Sequence, residues 1–460
     1  MNIGPKHNLP LMAILVTDLI ASSSAAQAPQ DPFTPKANGQ PVVAPVVELL
    51  LDDAKLTSFV VAHNLEVAAA RAQVAQARAD LAQAGVFPNP SFETDIMNLP
   101  VGRTNPPDLP LSKAVITSFQ IAETVEIGKR GPRIDAARLR LQAQEANYFD
   151  TVARTVADAR LALGRLVYLH ARQAVLDETL ADARKVLELE AKRVEHGDLS
   201  GNDYDRLLVD TMEIEAEAAH NQSELDTAFH SCRAILAAQC EIKSLDYIGT
   251  LRNAAPLPDM PKDPEVVLST RPDIRALELT QEAAKKDALL ARRKAIPDPA
   301  LGIGFTHDQF TVSGDNPNYF SLSLTIPIPA FDHGQHEAAR ALAQAMELAR
   351  RRDAVVVSAN ADLASQERRM RFLQETLENL TLKALPKSKA VLESTGAALH
   401  RGQVSMTELL LARRTYTGLQ LKVIDLEFEL FSVRNEIRRT LGTDGRLAWE
   451  STGYPEQRRQ

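Results

Sequence analysis

Cysteine is almost absent from this chain: Cys232 and Cys240 are the only two among 460 residues. Two cannot make a disulfide-stapled scaffold or a cysteine-rich metal site. They lie eight positions apart in a strongly helical stretch. An unbroken helix would hold them about 12 Å apart, beyond the roughly 7 Å that a disulfide spans, so they are expected to be unpaired core residues. Aromatic residues make up 5% of the chain while alanine is abundant, which suits close-packed long helices better than a thick globular core. Basic charge is not in excess either. The formal charge is -8, with Lys and Arg scattered among acids, which argues against nucleic acid as a partner. After the first 28 residues there is no apolar run of about 18 residues, hence no membrane-crossing helix. Any crossing has to be made by strands closed into a barrel.

Catalytic signatures are also missing. Gly302-x-Gly304 lacks the third glycine of a dinucleotide fingerprint, and Gly128-Lys129-Arg130-Gly131 lacks the spacing of a phosphate-binding loop. His333-Gly334-Gln335-His336 followed by Glu337 does not have the four-residue ligand spacing of a helical metal pair and reads as a polar turn. There is no Gly-x-Ser-x-Gly elbow and no carboxylate pair set among apolar residues. The expectation is a protein that is not an enzyme and needs no cofactor or metal.

What is present begins with a leader. Lys6, the apolar run Leu9 to Ile20 and the small residues ending Ala26-Gln27-Ala28 read as a secretory signal cleaved after Ala28. No cysteine near that site offers a place for a lipid anchor. Residues 29–45 form a Pro-rich linker, and 443–460 a polar tail.

Between them the chain is written twice, as 46–250 and 251–442. Pro88-Asn89-Pro90 returns as Pro297-Asp298-Pro299, Ala136-Ala137-Arg138 as Ala338-Ala339-Arg340, and Gly197-Asp198-Leu199-Ser200 with Asp203 as Gly402-Gln403-Val404-Ser405 with Glu408. Each half reads helix, two strands, a very long helix, then a helix.

The strand candidates, about 90–99, 115–127, 299–310 and 319–329, alternate with the period of two that a wall between lipid and water requires. Phe320, Leu322, Leu324, Ile326 and Ile328 oppose Ser321, Ser323 and Thr325, and Leu301, Ile303 and Phe305 oppose Gly302, Gly304, Thr306 and Asp308. Phe119, Ile121, Val125 and Ile127 oppose Ser118, Gln120, Thr124 and Glu126, while Phe92, Thr94 and Ile96 oppose Glu93 and Asp95. The polar set nominates Glu93, Asp95, Gln120, Asp308, Ser321 and Ser323 as lumen-lining residues. Glu123 falls on the apolar side and fits only at the interfacial end of its strand.

From Gly131 to His196 and from Gly334 to Arg401 helical composition persists for about 65 residues, about 100 Å of rod, with Pro386 as the one interior breaker. Val152, Val156, Ala159, Leu163 and Leu166, and Leu363, Met370, Leu373, Leu377, Leu380 and Ala384, step by threes and fours in the manner of coiled coils. Both rods turn back at a glycine, giving helical hairpins at about 131–240 and 334–441. Four strands are too few for a barrel. Two chains would give about eight strands with a filled interior, and three would give twelve with room for a lumen.

This arrangement, from about Val46 to Gly442, resembles the TolC-type outer membrane factors. Val125-Glu126-Ile127-Gly128-Lys129-Arg130-Gly131 and Ile326-Pro327-Ile328-Pro329-Ala330-Phe331-Asp332 are similar to the family's heavy-metal, cobalt-zinc-cadmium efflux branch. The resemblance implies a mainly α chain with a membrane β-barrel portion. Three subunits would share a twelve-stranded barrel, continued by an α-helical periplasmic barrel, in the cell outer membrane. It implies a passive conduit, a homotrimer in outer membrane lipid, which serves a periplasmic adaptor (membrane fusion protein) and an inner membrane resistance-nodulation-division pump. The hairpin ends Gly197, Leu199, Ser200, Asp203, Gly402, Val404, Ser405 and Glu408 would be the periplasmic tip and gate. Val404 stands where TolC itself has an arginine that helps lock the entrance, so a lock here has to be built differently. The alternatives are a periplasmic coiled-coil structural or adaptor protein, and an outer membrane channel for protein secretion.

Overall fold

The structure is a computed structural model that describes residues 42–103, 107, 110, 113–196, 200–242, 247–257, 271–309 and 316–444. The expected leader, most of the linker and most of the C-terminal tail lie outside these residues, as do Gly197 and Leu199. The described chain begins with β1 (Val43–Pro45), α1 (Val46–Leu51), α2 (Asp53–His63) and α3 (Leu65–Ala84). Asp52 accepts hydrogen bonds from the Ala54 and Lys55 amides to cap α2. Asn64 caps α3 through Val67 and donates to the Ile235 carbonyl at 2.7 Å, which ties the start of α3 to a helix 171 residues away.

Next come β2 (Ser91–Met97), β3 (Ile116–Thr124), the 66-residue α4 (Arg130–Glu195) and α5 (Gly201–Leu236). The second half passes from β4 (Gln239–Glu241) and α6 (Tyr247–Asn253) to α7 (Pro272–Arg292), β5 (Ala300–Asp308) and β6 (Asn318–Thr325). It ends in α8 (Gln335–Asn379), α9 (Leu385–His400) and α10 (Met406–Thr440). The strands β2, β3, β5 and β6 form one antiparallel sheet in that order. Helices α3, α4, α7 and α8 pack side by side in the same order, so each strand continues a helix. β2 and β6 are free edges, and one chain forms no closed barrel among the described residues.

Pro386 does not end the second rod. Its ring would collide with the carbonyl of residue 382, and it lacks the N–H for an α-helical bond. The chain absorbs this in one π turn, Leu380–Ala384, where the Leu385 amide donates to the Leu380 carbonyl, and α9 then starts with the proline in its first turn.

The heptad residues of the first rod form the core: Val152, Val156, Ala159, Leu163 and Leu166 are fully buried beside Phe431 of α10. Burying each large side chain contributes about 1.5 to 3 kcal/mol. Gly164 makes room for the Phe431 ring, since a Cβ built there would lie 2.2 Å from it.

Three expectations are corrected. Cys232 and Cys240 are disulfide-bonded with Cα atoms 6.4 Å apart. The helix stops at Leu236, Ala237 adopts a left-handed φ of 49°, and the chain doubles back into β4, so the straight-helix separation does not apply. Val43–Pro45, assigned to the linker, pairs in parallel with Gln239–Glu241 as β1. Asp444, assigned to the polar tail, is 1% exposed.

Candidate functional site

Register sorts the sheet into two faces. On one, Phe92, Ile121, Ile303 and Leu322 form a continuous row, and Thr94, Phe119, Phe305 and Phe320 form the next. The leucine, isoleucine and phenylalanine side chains of the first row are all more than half exposed, and Leu322 reaches 81%. Large apolar groups facing outward in rows are costly against water and fit a lipid surface. Glu123 is the penultimate residue of β3 and sits beside Leu301, at the end nearest the helices. The opposite face carries all six nominated polar residues. Glu93, Gln120, Gly304 and Ser321 share one row, Asp95 lies beside Ser118, and Asp308 opposes Ile116. Gln120 donates to the Ser323 hydroxyl at 3.0 Å across Gly302, which has no side chain to block it.

Where sheet becomes helix, the two proline motifs meet a set of ions. Asp298 accepts hydrogen bonds from the Ile127 amide at 2.9 Å and the Lys129 ammonium at 2.5 Å. Arg133 forks onto Glu126 and also donates to the Ala84 and Val86 carbonyls, while Arg130 donates to the Gly85 carbonyl and stacks over Phe87. His333 and Gly334 form a turn closed by Gln335 and Asp332, and Glu337 pairs with Lys294. Among the described residues no group of three or more His, Cys, Asp or Glu is placed to hold a metal.

At the far end of the rods Ser200 precedes α5 and Asp203 lies in its first turn. Gly402 has φ of 70°, Val404 is half-buried, and the Ser405 hydroxyl caps α10 by accepting from the Glu408 amide. The two hairpin ends meet: Arg206, 3.7 Å from Asp203, donates to the Thr407 hydroxyl at 3.1 Å. One turn on, Arg414 binds Asp210 at 2.6 Å and Glu213 at 2.8 Å. A groove of about 500 Å³ lies between α5 and α10, lined by Arg206, Val209, Leu411 and Arg414 among others. Burial pushes the neighbouring Arg413 guanidinium down from its ordinary value, with Asp210 and Asp182 acting against it. These arginines were not singled out from the sequence. Their signal, cations one to two turns into the returning helices, is common on any helix surface.

A second group left no sequence signal. Arg160, with no exposed surface in the middle of α4, donates to Asp444, Asp53 and the Asn435 side-chain carbonyl at 2.8 to 2.9 Å. Arg438 joins the same two aspartates. Burial alone would raise the Asp444 pKa, but the Arg160 and Arg438 guanidiniums outweigh it and hold the carboxyl below its ordinary range.

Comparison with known proteins gives consistent results. The family described as "Outer membrane efflux protein" matches residues 264–443. The chain is 27% identical over 344 residues to the pyoverdine export outer membrane protein OpmQ of Pseudomonas putida, covering 70% of this chain and 69% of that protein. It is similar in fold to CusC, with a TM-score of 0.71 at 17% identity over 85% of this chain and 92% of CusC. It is likewise similar to the outer-membrane channel OprN, with a TM-score of 0.68 at 19% identity over 96% and 98%.

Proposed function

From its membership of the outer membrane efflux protein family, the TolC-type outer membrane factors, we propose that this chain is one third of a passive export conduit. The protein resides in the outer membrane and extends into the periplasm. The observation that carries the proposal is the open four-stranded sheet, apolar on one face, polar on the other and unpaired at both edges. An unpaired edge in a membrane leaves backbone groups without partners. Three copies joined edge to edge close a twelve-stranded barrel with the apolar face to lipid and Glu93, Asp95, Gln120, Asp308, Ser321 and Ser323 to a lumen.

Helices α3, α4, α7 and α8 continue the wall into the periplasm. Solute is delivered by an inner membrane pump of the resistance-nodulation-division type through a periplasmic adaptor, and the channel itself does no chemistry. Its cargo is proposed to be a small solute, a heavy-metal cation or a drug. At the hairpin ends Asp203 and Glu408, repeated three times, form an acidic ring that favours cations. Their capping role is independent of this, because an acid in the first turn of a helix is stabilised by the helix dipole.

The test is single-channel recording of the purified protein. Asp203→Asn with Glu408→Gln keeps hydrogen-bond acceptors at the caps and removes six charges per trimer. The double variant is expected to conduct with reduced cation preference. Unchanged selectivity would make these acids caps only and place the gate elsewhere.

A further inference from the structure

The apolar face of the sheet does not stop where the strands stop. Val125 and Ile127 continue the parity of Phe119 and Ile121, and Ile326 and Ile328 continue that of Leu322 and Leu324. All four are exposed, Ile328 at 84%, and Phe331 just beyond is exposed at 94%. Immediately past this apolar rim lie three guanidinium groups that have no carboxylate partner among the described residues. Arg130 is spent on the Gly85 carbonyl and the Phe87 ring. Arg292 and Arg293, at the end of α7, are exposed and have no ion pair there.

The periodicity of α7 shows which way they point. Ala284, Ala288 and Ala291 lie on one buried stripe, and Ala276, Leu279 and Ala283 on another. At 100° per residue the stripes are about 115° apart on the side of Thr280 and Asp287 and about 245° apart on the side of Leu289, Arg292 and Arg293. In a ring of staves the wider side is the convex one. Arg293 also lies against Gly128, where an added Cβ would be 3.7 Å from its Nη1, directly after Ile127 on the apolar face. Cations that follow an exposed apolar band, on its own side, match the boundary between acyl chains and headgroups.

We propose that Arg292 and Arg293, with Arg130 beside Phe87, form a collar that binds anionic phospholipid headgroups in the inner leaflet of the outer membrane. This rests on the channel reading above, which supplies the lipid in contact with the sheet. The collar fixes the depth of the barrel. Phosphate oxygens accept from the guanidinium forks, and the acyl chains lie along Ile127, Ile328 and the strand rows.

Native mass spectrometry of the detergent-purified full chain tests the collar, with phosphatidylglycerol and phosphatidylethanolamine added in parallel. The parent is expected to retain phosphatidylglycerol preferentially. Arg292→Gln with Arg293→Gln is expected to lose that retention by about fivefold for each arginine removed. Arg350→Gln with Arg351→Gln makes the same charge change in the middle of α8 and is expected to behave as the parent. Equal retention of the two lipids by the parent, or unchanged retention in the Arg292/Arg293 variant or in both of its single variants, would overturn the proposal. Conductance of the parent in bilayers that contain phosphatidylglycerol tests the channel reading separately. Conduction there with no lipid preference in the mass spectrum sinks the collar alone, whereas absence of conduction sinks the channel.

Discussion

Arg160 is the largest fully buried side chain among the described residues. A fully buried guanidinium is tolerated because Asp444, Asp53 and Asn435 meet it, and these arrive from both ends of the chain. Removing one partner leaves buried charge uncompensated, so Asp444→Asn is expected to cost about 3 to 5 kcal/mol at neutral pH. The Asp444 pKa is depressed in the fold. Its stabilisation is therefore complete above the ordinary carboxylate value of about 3.9 and is lost as pH falls through the lower folded value. Thermal melts of parent and variant should differ most at pH 7 and converge below about pH 4. A gap that stays constant down to pH 2 would show that Asp444 acts by packing and not by charge. None of this was legible in the sequence, because a buried charge cluster assembled from three distant segments has no local pattern. The acids of the hairpin ends were legible, since a glycine turn repeated with an acid six residues on is local.

At the scale of elements, alternation marked the strands and heptads marked the rods, because both patterns are periodicities written into consecutive residues. The cysteine pair was misread for a related reason: a helix end at Leu236 depends on Ala237 adopting left-handed backbone, which alanine disfavours by about 1 to 2 kcal/mol, so nothing in the local sequence announces it. Alkylation of the denatured, unreduced protein should leave both cysteines unlabelled, and reduction should expose both while lowering stability by about 2 to 3 kcal/mol. Two labelled thiols before reduction would restore the unpaired reading. The sheet register also refines where a charge is tolerated. Leu324 shares its row with Leu301 and Glu123 near the helical end, whereas Leu322 lies in the next row with Ile303 and Ile121. Leu322→Arg should destabilise the folded channel by about 2 to 4 kcal/mol and Leu324→Arg by less, read as the shift in urea midpoint in lipid. The reverse order would mean that the membrane is centred nearer the helices than the rows indicate.

For the whole molecule, the duplication places two hairpins and two strand pairs side by side, so that β2, β3, β5 and β6 run in the same order as the helices that carry them. Strand number per chain could be counted from the sequence, but closure could not, because in the proposed channel the pairing that completes the wall lies between chains. The central claim is that the conducting unit is three chains sharing one barrel. Light scattering with detergent correction, on the same purified fraction that conducts in planar bilayers, measures this directly. The account predicts a single species of three times the mass of the processed chain, whereas a stable monomer that still conducts would contradict it.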